Sequence, residues 1–340
     1  MMKTDDLISI VFFFKAGQKK GLGNLYRCRS LALELRKYKN VKIIISAEDK
    51  KLFNIAFKGL SFNWLSSKKI FKSKNNDIII VDITNYPLNL QKKLKNSCKY
   101  LVGIDDWGKG PFIYDFLLRP NPIKLPKPKM LQKNHKIYKG INYILLDSKF
   151  NKKNVKNYKK EIKNIFICFG GSDPKEYTAR IIKIIIKENF LENIKFTVVV
   201  GSYFLKINQL KNLLINKKNF QLLQNPKNMI DLYKSCDVAL ISSGYLLYEA
   251  CALGKPSLVL SQDNEQHNES KIFARKKAVL RPARGIYSDD QSITKIMKKL
   301  FFEKKLRHQL HVNSKRSIST KGSQLTALKI IKHYKEKINI

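Results

Sequence analysis

Ser243, Gly244 and Glu249 stand within DVALISSGYLLYEACALGKPSLVLSQDNEQHNES, residues 237–270, the stretch of this chain whose residue types and spacing could do the most chemistry. Residues 237–242 carry the apolar run Val238, Ala239, Leu240 and Ile241, long enough for a buried parallel strand. Ser243 and Gly244 let the backbone turn, and residues 245–253 repeat apolar side chains at helical spacing. Gly254 and Pro256 stop that helix before a second strand at 257–260. A turn of this kind presents the free N–H groups of a helix N-terminus at the carboxyl end of a sheet, where they can hold a diphosphate. Glu249 lies one turn further along and could accept two hydrogen bonds from a ribose diol. The same spacing also suits an ordinary βαβ unit in which Glu249 is a solvated helix acid, and one glycine turn does not separate the two readings.

Three further loops hold candidate residues. Residues 15–23, KAGQKKGLG, follow the first apolar run. Gly21-Leu22-Gly23 lacks the third glycine of a dinucleotide fingerprint, and no Gly-Lys-Ser/Thr completes a phosphate-binding loop. Gly23 can still bring the backbone close to a ligand. Asn24 is expected to be the N-cap of the following helix, a role that would account for it without a ligand. Arg27, on the next turn, could pair with an anion or with a carboxylate of the protein. In the second loop, Gly170 and Gly171 precede Ser172, Asp173 and Pro174, a turn with exposed N–H groups in which Ser172 or Asp173 could equally cap a helix. The third loop, 261–268, gathers Asp263, Asn264, Glu265, Gln266 and His267, more polar density than a turn needs, and is expected to touch ligand. The five histidines show no zinc-binding spacing and no GxSxG elbow occurs, so no metal and no cofactor are expected.

Such loops need a scaffold of parallel strands, and the patterning supplies two. In the first half, residues 7–14, 41–46, 77–82, 100–104 and 116–118 read as strands, with a helix over 24–38. Residues 119–140, in which Pro120, Pro122, Pro126 and Pro128 interleave with lysines, read as a connecting segment. The rhythm restarts with strands at 164–169, 196–200, 220–223 and 237–242, and after Asp289 only helical patterning remains. The expectation is an α/β protein of two doubly wound domains facing a cleft, residues 1–150 and 151–340, the C-terminal helices belonging to the second.

Composition narrows the class. The 340 residues suffice for two cores, and 44% hydrophobic residues mark a globular chain. No apolar run reaches the length of a membrane span, and Asp5 and Asp6 spoil the start as a signal peptide. Five cysteines with no CxxC pair read as reduced thiols, hence a cytoplasmic protein. The formal charge of +41 invites a nucleic-acid reading, but only ten of the 67 basic residues are arginine and the lysines are spread over both halves. Specific base readers rely on arginine forks, so no specific nucleic-acid partner is expected. Attraction to anionic substrates or to an anionic membrane surface remains open.

The ordered set GLGNLYRCRSLALEL, LVGIDD, LLRPNP, YILLDSKF, FGGSDP and SSGYLLYEACALGKPS resembles the UDP-sugar hydrolase of pseudaminic acid biosynthesis and the related spore-coat polysaccharide glycosyltransferase-like proteins. The resemblance implies a GT-B fold of two Rossmann-like domains, with the sugar and any acceptor on the N-terminal side and the nucleotide held mainly by the C-terminal domain. It implies that Gly170, Gly171, Ser243, Gly244, Glu249 and Gln266 line a UDP site, beside which Gly23 could also approach. One departure stands out. The family pattern G-x-G-H-x-x-R runs here as Gly21, Leu22, Gly23, Asn24, Leu25, Tyr26, Arg27, so an amide replaces the histidine that would activate water. A second departure puts Thr84 where the family tends to show tyrosine. With Asn24 in that place, Asp82, Asp105 or Asp106 could serve as base, and Arg27 could stabilise a leaving group. The expected function is transfer from a UDP-sugar in surface polysaccharide or nonulosonic acid synthesis. The alternatives are a UDP-2,4-diacetamido-2,4,6-trideoxy-sugar hydrolase with another base, and a non-catalytic sugar-nucleotide binder.

Overall fold

The computed structural model describes residues 7–17, 22–47, 50–72, 76–104, 107–151, 158, 161–189 and 193–338. Gly21, Asp105 and Asp106 lie outside the described residues. Chain order begins β1 (Ile8–Phe14), α1 (Gly23–Leu35), β2 (Val41–Ala47), α2 (Lys50–Phe57), β3 (Asn63–Ser66), β4 (Asn76–Asp82), α3 (Leu88–Lys95), β5 (Cys98–Ile104), β6 (Phe116–Arg119) and β7 (Lys136–Lys139). It continues β8 (Asn164–Cys168), α4 (Tyr177–Lys187), β9 (Lys195–Val200), α5 (Ile207–Leu213), β10 (Phe220–Gln224), α6 (Met229–Ser235), β11 (Val238–Ser242), α7 (Tyr245–Ala252), β12 (Ser257–Leu260) and α8 (Asn264–Arg275). Three helices close it: α9 (Asp290–Phe302), α10 (Lys304–Ser317) and α11 (Gly322–Lys337).

The chain divides into two compact units, residues 1–148 with 320–340, and residues 149–319. The first contains a seven-stranded sheet in the order β3-β2-β1-β4-β5-β6-β7, and the second a five-stranded sheet in the order β10-β9-β8-β11-β12. Every pairing in both sheets is parallel. The central strands are apolar on both faces, as sheets covered by helices require: Ile10 to Phe12, Ile78 to Ile80, and Val238 to Ile241 are all fully buried. In each sheet the strand order reverses once, between β1 and β4 in the first and between β8 and β11 in the second. At such a reversal the two following loops diverge to opposite faces and leave a crevice at the carboxyl edge.

The structure departs from the sequence reading at three places. Residues 119–140 are not wholly a connector, because Lys136–Lys139 pairs with β6 as an edge strand. Its sequence, KIYK, is too short and too charged to show a strand pattern, and those lysines suit an unpaired sheet edge. The strand β3, NWLS, is likewise too exposed for apolar patterning to reveal it. Finally, α11 belongs to the first unit rather than the second.

The position of α11 has clear causes. At its start, a side chain on Gly322 would meet the Ile144 carbonyl oxygen at 2.1 Å, so only glycine allows that approach. Near its end, Tyr334 donates to Asp77 Oδ1 at 2.7 Å and Lys337 donates to Asp115 Oδ1 at 2.7 Å. Asp77 also accepts from the Ser9 amide at 2.9 Å and from Lys99 at 2.9 Å. Burial raises the Asp77 pKa, but these donors outweigh it and hold the carboxyl below its ordinary 3.8. The stability that Asp77 contributes is therefore fully present above pH 3.8 and is lost as pH falls through the depressed value. Urea midpoints measured from pH 6 downward should show this acid loss in the wild type and a smaller one in Asp77→Asn. Identical acid limbs would remove Asp77 as the anchor of α11.

Candidate functional site

The reversal in the first sheet brings the end of β4 to the start of α1. Asn24 is the second residue of α1, not its N-cap: Gly23 is already helical and Leu22 precedes it, with no side-chain cap. The Asn24 amide donates instead to the backbone oxygen of Asp82 at 3.3 Å. Arg27, one turn on, grips the Asp82 carboxylate with both arms of its fork, Nε to Oδ2 at 2.5 Å and Nη2 to Oδ1. The Cys28 thiol donates to Oδ2 at 3.4 Å. Asp82 is fully buried, whereas the Arg27 side chain is 15% exposed.

This geometry changes the roles open to both residues. Two Arg27 nitrogens are committed to a carboxylate, so the guanidinium does not stand as an open clamp for a leaving phosphate. Both Asp82 oxygens hold donors, the arrangement of an anchor rather than of a waiting general base. Burial first, then the Asp82 charge, push the Cys28 thiol well above its ordinary value, so it is no nucleophile. Asp105 and Asp106, the other carboxylates considered, lie outside the described residues.

In the second unit the parallel register delivers the loops after β8, β11 and β12 to one edge, and β8, β11 and β12 are adjacent. Gly170 follows β8 with φ of +99°, and Gly171 packs so closely on Gly201 that a side chain there would meet the Gly171 Cα at 2.4 Å. Asp173 accepts from the Tyr177 and Thr178 amides at 3.1 and 2.7 Å, so it caps α4. Gln262 ties this loop to the third one, donating to the Phe169 carbonyl and to Asp173 Oδ1, each at 3.0 Å.

Gly244 adopts φ 81° and ψ −137°, a conformation that L side chains disfavour, and no atom stands within 4 Å of where its Cβ would be. The turn thus presents open backbone at the N-terminus of α7, whose first-turn N–H groups have no acceptor within the helix. Glu249 is only 8% exposed, which excludes the solvated-acid reading. Its charge acts on Cys168 at the end of β8 and on buried Tyr233. Burial chiefly pushes the Cys168 thiol up to about 12, and Glu249 adds to that rise. Gln266 sits in the first turn of α8; its side-chain oxygen accepts from the Gln262 amide at 3.0 Å, while Asp263 caps the helix. His267 meets Arg281 at 2.8 Å, and burial followed by that positive charge lowers its pKa and favours the neutral ring.

The structure therefore gathers Gly170, Gly171, Ser243, Gly244, Glu249 and Gln266 on one edge of the second sheet, and Gly23, Asn24, Arg27 and Asp82 at the reversal of the first. Sequence reasoning missed Glu269. It is 4% exposed on α8 and accepts from Ser243 Oγ at 2.5 Å, from the Gly244 amide at 2.6 Å, and from Tyr248. The signal lay one residue beyond the polar loop that ended at Asn268. Among the described residues, no cluster of His, Cys, Asp or Glu could hold a metal ion, and no helix is long and apolar enough to cross a membrane.

Two parallel, doubly wound units with these carboxyl-edge loops define a GT-B protein, and the solved neighbours share that architecture. A UDP co-structure of Staphylococcus aureus MnaA aligns with TM-score 0.65 over 98% of this chain and 97% of that one, at 13% identity. Its motifs resemble the spore-coat polysaccharide and pseudaminic acid proteins, and curated relatives of both kinds align with the chain. It is 25% identical over 319 residues to the spore coat polysaccharide biosynthesis protein SpsG of Bacillus subtilis, covering 91% of this chain and 94% of that protein. It is 30% identical over 207 residues to the pseudaminic acid cytidylyltransferase and UDP-2,4-diacetamido-2,4,6-trideoxy-beta-L-altropyranose hydrolase of Helicobacter pylori, covering 58% of this chain but only 36% of that protein. No family model matches the chain.

The Arg27–Asp82 pair is expected to be structural as much as functional. Asp82→Asn strands a largely buried guanidinium beside a neutral amide and should cost about 3 kcal/mol. The urea midpoint should fall with an unchanged slope. Arg27→Met combined with Asp82→Leu should recover most of that loss. A single variant as stable as the wild type would contradict the anchoring role.

Proposed function

We propose that this chain is a GT-B glycosyltransferase that takes its sugar from a UDP-sugar during surface polysaccharide or nonulosonic acid synthesis in the cytoplasm. The observation that carries transfer over hydrolysis is Asn24. It occupies the place of the water-activating histidine, and its amide is spent on the Asp82 backbone oxygen. An amide has no proton to exchange near neutral pH, and positioned general bases contribute about 10²–10⁴-fold. In a transfer, the acceptor oxygen bonds to the anomeric carbon as that carbon's bond to the UDP oxygen breaks, and the acceptor proton passes to the departing diphosphate.

In this reading the diphosphate lies at the N-terminus of α7 and against the Gly170–Gly171 loop, where helix N–H groups favour anions. Glu249 accepts from the ribose hydroxyls and Gln266 stands beside the base or ribose. In the first unit, Gly23 leaves the N-terminus of α1 open to a ligand, while Arg27 and Asp82 hold α1 in place. The acceptor is a sugar or glycan, and the basic surface favours work near an anionic membrane. The similarity to SpsG, whose name assigns it to spore coat polysaccharide biosynthesis, supports this context.

Hydrolysis is the second reading, favoured by the hydrolase named in the Helicobacter pylori relative. It needs another base, and Asp82 would have to give up Arg27 to serve. Asn24→His separates the two. If the scaffold is that of the hydrolase group with its base replaced, UDP release from the sugar nucleotide without acceptor should rise by about tenfold or more. Fast acceptor-independent release by the unaltered protein would instead mean that hydrolysis is its own reaction.

A further inference from the structure

Resting on this nucleotide reading, we infer that Glu269 is the positioning residue of the diphosphate turn. Its carboxylate holds Ser243 and Gly244 in the shape that grips UDP.

The Ser243 hydroxyl and the Gly244 amide meet the same oxygen of Glu269, at 2.5 and 2.6 Å, and Tyr248, one turn along α7, reaches the other oxygen. Three donors from one strand–turn–helix unit thus converge on a carboxylate carried by a different helix, α8. At 4% exposure that carboxylate is almost out of water. A carboxylate in such a place is held only by the hydrogen bonds made to it.

The partners have a shared purpose. Gly244 has φ of +81° and ψ of −137°, outside helix and strand, so the turn needs something to hold it there. Its Cβ side is open to 4 Å, and Glu269 bonds its amide from within the fold. The carboxylate therefore braces the turn from behind without occupying the open approach at Gly244. Glu269 also belongs to the helix that begins at the third polar loop. The same helix carries Gln266, whose oxygen accepts from Gln262, itself bonded to the Phe169 carbonyl ahead of Gly170. The loops after β8, β11 and β12 are thereby linked through side chains of one short segment. The role is indirect: Glu269 acts on the nucleotide through the turn.

A glutamine at this position keeps the shape but can accept at only one end. Its NH2 group would face either Tyr248 or the Ser243–Gly244 pair, and the turn would relax. The prediction concerns the gain in affinity that the diphosphate brings over uridine alone, since a fault confined to this turn should leave base and ribose contacts in place. Calorimetric titrations with UDP and with uridine would compare the wild type, Glu269→Gln and Tyr248→Phe. The ratio of uridine to UDP dissociation constants should fall at least tenfold in Glu269→Gln. It should fall about threefold in Tyr248→Phe, which removes one donor and leaves the carboxylate.

An unchanged ratio in both variants would overturn the inference while leaving the UDP site intact. A higher ratio would overturn it too, showing the buried charge to oppose the diphosphate instead of bracing its turn. Equal loss of UDP and uridine affinity would reduce Glu269 to a general packing role. If Glu269→Gln does not fold, the Tyr248→Phe ratio decides. A wild type that binds neither ligand would refute the nucleotide reading itself, a result distinct from the others.

Discussion

Parallel pairing delivers the loop after every strand to the same edge of its sheet, and a reversal of strand order opens that edge to a ligand. Both sheets obey this constraint, and most of the functional geometry follows from it. In the second unit, β8 lies beside β11 and β11 beside β12, so three loops far apart in sequence become neighbours. In the first, β1 beside β4 sets the start of α1 against Asp82. The apolar strands fix the register, and the register chooses which loops meet. The chemistry then depends on what those loops contain.

What they contain is backbone held by buried carboxylates. Asp173 caps α4, Glu269 braces the Ser243–Gly244 turn, and Asp82 holds Arg27 and the first turns of α1. Each carboxylate occupies protein donors, and in the proposed reading the N-terminus of α7, rather than basic side chains, is what the second unit offers an anion. That pattern fits a site for one defined diphosphate better than a general polyanion surface, despite the formal charge of +41. Arg27 illustrates the same economy: its charge serves a buried aspartate before it can serve any substrate.

Much of this was legible in the sequence, for reasons that differ by residue. Central strands such as β4 and β11 are apolar on both faces and declare themselves by composition. Gly170 and Gly244 announce turns because their φ values of +99° and +81° are ones that side chains disfavour. The edge strands β3 and β7 stayed hidden, since an exposed or lysine-rich strand of four residues has no apolar signature. Asn24 reads as a cap by residue type, yet Gly23 extends the helix one step earlier and turns its amide to Asp82. The place of α11 depends on Gly322 and Tyr334 meeting residues far back in the chain. Glu269 looks like any helix acid until the fold carries it under the turn.

The central claim is that the second unit holds UDP through a built site and not through bulk charge. The most direct measurement is calorimetric titration of UDP into the purified protein at low and high salt, with inorganic polyphosphate as competitor and Glu249→Ala as control. The account predicts binding that changes little with salt, resists the competitor and weakens in the variant. Binding that disappears at high salt, or that polyphosphate displaces equally from both proteins, would contradict it.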